Sequence, residues 1–168
     1  MIRPAGPADV PALAELRWEF RAGAAIPVEG RAEFLARFRR WVGRALVDDR
    51  WRAWVAELPD ATIVGHVFAA TIDKLPNPVD EAETHRYVSN LYVRPEHRGR
   101  GLGSALLAAA LDGADAADDT VVLWARPGTG GFYAGQGFGP SPEILERRPM
   151  HTQRPAPAGG RSEPASTR

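Results

Sequence analysis

Along the chain the spacing of apolar residues switches from a helical period to a period of two and back again. Ile2-Arg3-Pro4-Ala5 reads as a short edge strand, and Asp9 stands where a helix N-cap is wanted, with Pro11 in a first turn that tolerates it. Leu13, Leu16, Trp18 and Phe20 give the following helix an approximate apolar face, and Gly23 and Pro27 mark its end. Phe34, Leu35, Phe38, Trp41, Val42 and Leu46 recur near the helical period and predict a second helix over about Ala32 to Leu46. From Arg52 the period becomes two, with Trp54, Ala56 and Leu58 alternating against Ala53, Val55 and Glu57 before a Pro59-Asp60 turn, which predicts a strand and a hairpin. Thr62 to Ile72 supplies the return strand, and the proline-rich loop Leu75 to Glu83 closes the antiparallel pair. Arg86 to Val93 predicts a third strand, with Tyr87, Ser89, Leu91 and Val93 on one face and Val88, Asn90 and Tyr92 on the other.

That strand runs into Arg94-Pro95-Glu96-His97-Arg98-Gly99-Arg100-Gly101-Leu102-Gly103-Ser104, where three alternating glycines open a helix predicted over Leu102 to Ala116. Glycines at alternate positions let the backbone approach a ligand closely, and the free N–H groups of the helix start favour an anion. Arg98 and Arg100 add positive charge beside those donors. The spacing lacks the dinucleotide pattern's gap before its last glycine, and no Lys-Ser or Lys-Thr pair follows as in a P-loop. A plain structural turn and a cradle for another phosphate ligand both remain open at this level.

Thr120 to Ala125 reads as a fully apolar buried strand. A right-handed helical crossover should place it parallel to Tyr87–Val93, making an α/β fold whose ligand lies at the carboxyl ends of those strands. A short helix is expected around Thr129 to Gln136, ended by Gly137, and a last strand over Glu143 to Arg148. From about His151 the chain is Pro, Gly, Ala, Ser and Arg with little to bury, which predicts one domain over residues 1–150 and a disordered tail over 151–168.

Composition narrows the chemistry. The 168 residues suit one domain, and 21 basic against 21 acidic residues leave no global field for nucleic acid or an anionic membrane. With no cysteine, disulfides, thiolate metal sites and a cysteine nucleophile are excluded. No apolar run approaches the roughly 20 residues that span a bilayer, and Met1-Ile2-Arg3-Pro4 lacks the apolar segment of a secretion signal. The expected location is cytoplasmic.

The stretch Asn90 to Gly103 resembles the acetyl-CoA-binding motif of the GNAT (Gcn5-related) N-acetyltransferases, whose core is Arg or Gln, two residues, Gly, one residue, then Gly or Ala; Arg98, Gly101 and Gly103 fit it. Gly131-Phe132-Tyr133-Ala134-Gly135-Gln136-Gly137-Phe138 is similar to the family's second motif. The match covers about Tyr87 to Phe138. The resemblance implies a mixed α/β fold with a central, mostly antiparallel sheet whose two parallel strands splay apart. It further implies that the pantetheine arm of acetyl-CoA pairs with the backbone of Leu91, Tyr92 and Val93, and that the pyrophosphate sits on the amides of Arg98, Gly99, Arg100, Gly101, Leu102, Gly103 and Ser104.

Acetyl-CoA is then a co-substrate, no metal is needed, and an amine attacks the thioester directly. Tyr133 matches the family tyrosine that can protonate the departing sulfur. Many relatives carry a glutamate base where Ser89 stands here; Ser89 cannot act as a base unaided, and His85 at the start of the same strand is the candidate replacement. Arg126 replaces an asparagine that bonds the coenzyme arm in many relatives. Glu29, Asp73, Glu81 and Glu83 lie in loops that select substrate in this fold, where carboxylates attract a cationic amine, and Trp18, Phe20 and Trp51 are candidates for an aromatic wall. The acceptor is a primary amine of a small molecule or a protein, with room for a homodimer and no nucleic-acid or membrane partner. The competing reading is a catalytically degenerate acyl-CoA-binding regulatory module, motivated by Ser89.

Overall fold

β4, Thr84–Val93, runs antiparallel to β3 (Ile63–Asp73) on one side and parallel to β5 (Thr120–Val122) on the other. The sheet is completed by β1 (Ile2–Pro4) and β2 (Trp51–Glu57) in the order β1-β2-β3-β4-β5. In the computed structural model residues 1–48, 50–114, 118 and 120–147 are described. The tail expected over 151–168 lies outside them. Contacts divide the chain into Met1–Gly130, which holds the whole sheet, and Gly131–Arg168.

Two helices, α1 (Val10–Ala22) and α2 (Arg31–Ala45), cover one face of the sheet. Leu13 and Leu16 of α1 and Val42 of α2 pack with Val55, Phe68 and Tyr92 in one buried cluster, each at 9% exposure or less. The other face carries α3 (Leu102–Leu111), whose Leu106, Leu107 and Ala110 are fully buried. Its approach is close: a Cβ on Gly65 of β3 would lie 2.9 Å from the Tyr92 carbonyl oxygen and 3.2 Å from Leu106 Cδ1. Arg86 of β4 fixes the far end of α3, donating to the carbonyls of Ala110 (3.0 Å) and Asp112 (3.1 Å) while pairing with Asp118 at 2.8 Å. A cation on the last carbonyls of a helix satisfies acceptors that have no partner within it.

Asp9 occupies the N-cap position of α1 without capping it. Its carboxylate turns back to accept from the Gly6 N–H (2.8 Å) and from both ends of the Arg3 guanidinium (2.7 and 2.9 Å), and so ties β1 to the helix start. Glu57 accepts from the same guanidinium.

Four expectations need correction. The alternation predicted along β4 is broken by a bulge: Phe68 pairs with Ser89 but His66 with Tyr92, and Asn90 takes the extra position at φ +60°. Asn is among the few non-glycine residues that enter this left-handed region readily. The bulge brings Tyr87, Ser89, Asn90 and Tyr92 to the face covered by α1 and α2. β5 is shorter than expected, Thr120–Val122 rather than Thr120 to Ala125, and only half-buried, with Trp124 66% exposed. α3 ends at Leu111, short of Ala116, because Asp112 leaves the helical conformation and Gly113 takes φ +72°. No strand forms over 143–147, where the side chains are exposed; Arg148 lies outside the described residues.

The short helix α4, Gly130–Ala134, starts at the last residue of the first unit, and within Gly131–Arg168 the described residues continue it into a turn that folds back on it. Gln136 and Phe138 donate their N–H groups to the Tyr133 carbonyl (2.9 and 3.0 Å), and Gly137 turns the chain at φ +86°.

Candidate active site

β4 and β5 pair only as far as Tyr87↔Val122, so from Val88 onward the β5 side of β4 is open. The Arg94 N–H donates to the Val64 carbonyl at 2.9 Å, and Tyr92 is in register with His66. By the alternation of an antiparallel ladder, Tyr92 therefore directs its backbone to β3, whereas Leu91 and Val93 direct theirs to the open side. Arg98 donates Nε–H to the Val93 carbonyl (2.9 Å) and lies 5.7 Å from the centre of the Tyr92 ring. Of the three strand residues expected to meet the coenzyme arm, Leu91 and Val93 turn their backbone to this open side, while Tyr92 turns its backbone to β3 and packs its ring on Phe20 at 5.3 Å.

The open edge leads straight into the cradle. Gly99 and Gly101 adopt φ +73° and +76°, and a Cβ built on either meets nothing within 4 Å, so both face space. Gly101 is the N-cap of α3, and the first bond of the helix runs from the Ala105 N–H to the Gly101 carbonyl at 3.0 Å. The N–H groups of Leu102, Gly103 and Ser104 consequently have no backbone acceptor among the described residues. A left-handed turn, three aligned donors and the positive end of a helix dipole suit a pyrophosphate. Arg94, where β4 ends, is held by two bonds to Glu19 of α1 (3.0 and 2.8 Å), so the cradle is anchored to the opposite helix layer.

Next to the bulge, a cavity of about 180 Å³ opens between the sheet and helices α1 and α2. Phe38, Trp41, Trp51, Phe68 and Tyr87 form its walls, and Arg17, Ser89 and Asn90 contribute its polar groups. The rings support one another at centroid distances of 5.4 Å for Trp41–Trp51, 6.3 Å for Phe38–Phe68 and 6.2 Å for Trp51–Tyr87. Ser89 Oγ accepts from the Tyr87 hydroxyl at 3.0 Å. Arg17 donates to Asn90 Oδ1, which obliges Asn90 Nδ2 to be the donor in its 2.7 Å contact with His66 Nε2. His66 is fully buried and its imidazole pKa is pushed down to about 3, chiefly by desolvation and further by the Arg17 charge. Burial also lowers the Arg17 pKa, to about 10.

The remaining predicted residues fall as follows. His85 pairs with Ile72 and Thr120 inside the closed part of the sheet. It lies four residues before Ser89, or about 13 Å along the strand. Glu29 is engaged by Arg37 on the solvent side of α2, which lowers its pKa, and Asp73 ends β3 opposite Thr84. Glu81 and Glu83 fasten their own loop: Glu81 pairs with Lys74 at 3.2 Å, and Glu83 accepts from the Asn77 N–H at 3.1 Å. Arg126 is exposed and lies 5.1 Å from the Phe20 ring centre. Of the proposed aromatic wall only Trp51 lines the cavity; Trp18 packs on Phe34 at 5.5 Å and Phe20 on Tyr92. Tyr133 sits between Phe132 and Phe138 at 5.1 and 5.9 Å, and burial raises its phenol pKa.

Sequence reasoning missed Arg17, His66 and the role of Asn90. Their signal was weak: one arginine on a helix rich in charge, one histidine inside an apolar strand, one amide at a strand position. Phe38 and Trp41 did carry a signal, falling at helical spacing, but that spacing serves a core as well as a cavity. Among the described residues no helix is long and apolar enough to cross a membrane, and no group of three His, Cys, Asp or Glu side chains converges on a metal position.

No curated protein sequence matches the chain. Solved structures do. A predicted acetyltransferase of Clostridium acetobutylicum, crystallised with acetyl-CoA, superposes at TM-score 0.74 with 20% identity over 92% of this chain and 99% of its own. A GCN5-related N-acetyltransferase of Ralstonia eutropha gives 0.71 with 27% identity over 88% and 97%, and a Trypanosoma brucei acetyltransferase 0.63 with 21% identity over 88% and 98%. The profile of the Acetyltransferase (GNAT) family matches residues 10–138, which take in the bulged strand, the cradle and α4 alike, and the chain belongs to that family.

Proposed function

We propose that the protein transfers an acetyl group from acetyl-CoA to a primary amine held in the aromatic cavity. The observation that carries this is one continuous surface: the open edge of Leu91 and Val93 runs directly into the left-handed glycines and unpaired amides of α3. A long ligand with amide groups at one end and a pyrophosphate at the other fits both parts.

Acetyl-CoA when bound supplies the acetyl carbon: the neutral amine nitrogen bonds to it and sheds one N–H proton to solvent, the thioester C–S bond breaks, and the sulfur leaves as a thiolate that takes up one proton. The chain's residues prepare that exchange. Leu91 and Val93 orient the arm along β4 and offer N–H groups to a carbonyl oxygen. The five rings exclude water from the amine. Among the described residues neither a carboxylate nor an imidazole lines the cavity. The nearby Arg17 charge disfavours an ammonium ion, so the cavity promotes the neutral, nucleophilic amine, and Ser89 need only position it. Tyr133 keeps its proton because burial raises its pKa, which suits a donor to the leaving sulfur.

The test is calorimetric titration with acetyl-CoA followed by a thiol-release assay over an amine panel. Because the chain has no cysteine, a thiol reagent reads the released coenzyme alone. Absence of binding at near-millimolar acetyl-CoA rejects the proposal. Binding without thiol release from any amine favours the regulatory-module reading.

A further inference from the structure

The aromatic cavity contains a cation that its surroundings do not neutralise. Arg17 is partly buried in the cavity wall, and among the described residues no carboxylate lies within ion-pair distance of it. Its partners are the neutral Asn90 Oδ1 and, at 6.0 Å, the Phe20 ring. A guanidinium has five N–H donors in a fixed fork, and the bond to Asn90 uses one of them. By contrast, Arg3, Arg37 and Arg94 each bind a carboxylate.

From the open fork of Arg17 and the ring-walled space beside it we infer that the acceptor is an amine that also bears a carboxylate and a compact apolar or aromatic group, as a free amino acid does. The inference rests on the acetyltransferase reading and names its substrate class. Rings alone would suit a bare cationic amine through cation–π attraction. Arg17 reverses that preference, since a like charge in a desolvated site repels a cation and a carboxylate there gains a bidentate, charge-assisted partner. The size agrees: a cavity of about 150 Å³ accepts benzene, and this one of about 180 Å³ adjoins the polar groups of Arg17, Ser89 and Asn90. The loop carboxylates Glu29, Asp73, Glu81 and Glu83 do not line it. In this proposal substrate selection falls to Arg17 rather than to those loop carboxylates.

The test compares phenylalanine, phenylalaninamide and phenethylamine, which share ring and amine and differ in the carboxylate. Calorimetric affinity is measured with CoA present, and kcat/KM by thiol release. Phenylalanine is expected to bind at least 10-fold more tightly than either of the others, and Arg17→Gln to remove that difference, weakening phenylalanine and, with the like charge gone, tightening phenethylamine. Circular dichroism and the melting temperature of the variant verify that it is folded. Arg17→Lys, which keeps the charge but not the fork, is expected to retain part of the discrimination. Equal or tighter binding of phenethylamine to the unmodified protein overturns the inference, as does failure of all three to bind. Failure of acetyl-CoA to bind overturns instead the activity on which the inference rests, so the two failures are read separately.

Discussion

His66 accepts a 2.7 Å hydrogen bond from Asn90 across the bulge, joining a fully buried imidazole to a residue at φ +60°. Asn90 is held from the other side by Arg17, 73 residues away in sequence, so one amide joins α1, β3 and the bend in β4. Asn90→Ala leaves the His66 acceptor and an Arg17 donor without partners and keeps a β-carbon in the left-handed region without the amide that lets Asn enter it readily. Together these should cost about 2–4 kcal/mol in urea denaturation. Asn90→Gly removes the same bonds but relieves the backbone, and should recover about 1 kcal/mol of that loss. Equal losses in the two variants would show that the backbone at Asn90 is not strained.

The same pair predicts a pH dependence. Arg17, Asn90, Phe68 and Tyr92 surround His66, and its native pKa of about 3 lies well below the usual histidine value. A protonated imidazole would set an N–H against the amide donor of Asn90 and a charge near Arg17. The unfolded chain binds this proton below about pH 6.5, whereas the native state resists it until about pH 3. The stabilisation is therefore complete above pH 6.5 and is lost as pH falls toward 3, with a slope that approaches about 1.4 kcal/mol per pH unit. In His66→Gln that part of the slope disappears, and urea titrations of both proteins between pH 4 and about 7 measure the difference.

Most of the fold was legible because it depends on local rules. The periodicities of Leu13–Phe20, Phe34–Leu46 and Trp54–Leu58 predict their elements to within a few residues, and Gly99 and Gly101 announce a left-handed turn before a helix. The bulge was not legible, because the register that displaces Asn90 is set by β3, remote in sequence, and its one-residue shift reverses which face Tyr92 joins. The end of β5 was hidden for a similar reason: Leu123 to Ala125 are apolar enough for a strand, but the pairing with β4, remote in sequence, ends at Tyr87↔Val122. Of the candidate site, the cradle glycines stand in one contiguous stretch. The aromatic cavity is assembled from α1, α2, β2, β3 and β4, and no local pattern brings Arg17 beside Trp51.

At the other end of α1, Asp9 binds Arg3 and the Gly6 N–H, and these bonds, the Arg3 bond foremost, lower its pKa. A lowered carboxylate pKa contributes stability above the ordinary value near 4 that is lost as pH falls through the native value. Asp9→Asn should cost about 2 kcal/mol at pH 7, with the deficit shrinking below about pH 4. A deficit constant with pH would assign the loss to packing instead.

Two glycine substitutions should act in opposite directions. Gly43 is an exposed residue inside α2 with nothing within 4 Å of a built Cβ, so Gly43→Ala should raise stability by about 0.5–1 kcal/mol. Gly101 sits at φ +76° beneath the unpaired amides, so Gly101→Ala should lose about 1 kcal/mol and weaken acetyl-CoA binding by at least about 10-fold. Thermal melts and calorimetry separate the two effects. Unchanged coenzyme affinity in folded Gly101→Ala would remove this turn from the pyrophosphate site.

Tyr133→Phe isolates the proton step. The ring contacts with Phe132 and Phe138 survive the substitution, and only the hydroxyl is lost, so coenzyme affinity should stay within about 2-fold. If the phenol protonates the departing sulfur, kcat should fall by about 100-fold, in the range typical of a positioned general acid. The pH profile discriminates further. Burial holds the Tyr133 proton to a higher pH than a free phenol, so the unmodified protein should keep its activity through neutral pH and lose it on the alkaline side as that proton dissociates. The variant has no such proton, and the alkaline limb should vanish from its weaker profile. Unaltered turnover, or an alkaline limb that persists unchanged in Tyr133→Phe, would place the acid elsewhere and leave Tyr133 as a packing residue between its two aromatic neighbours.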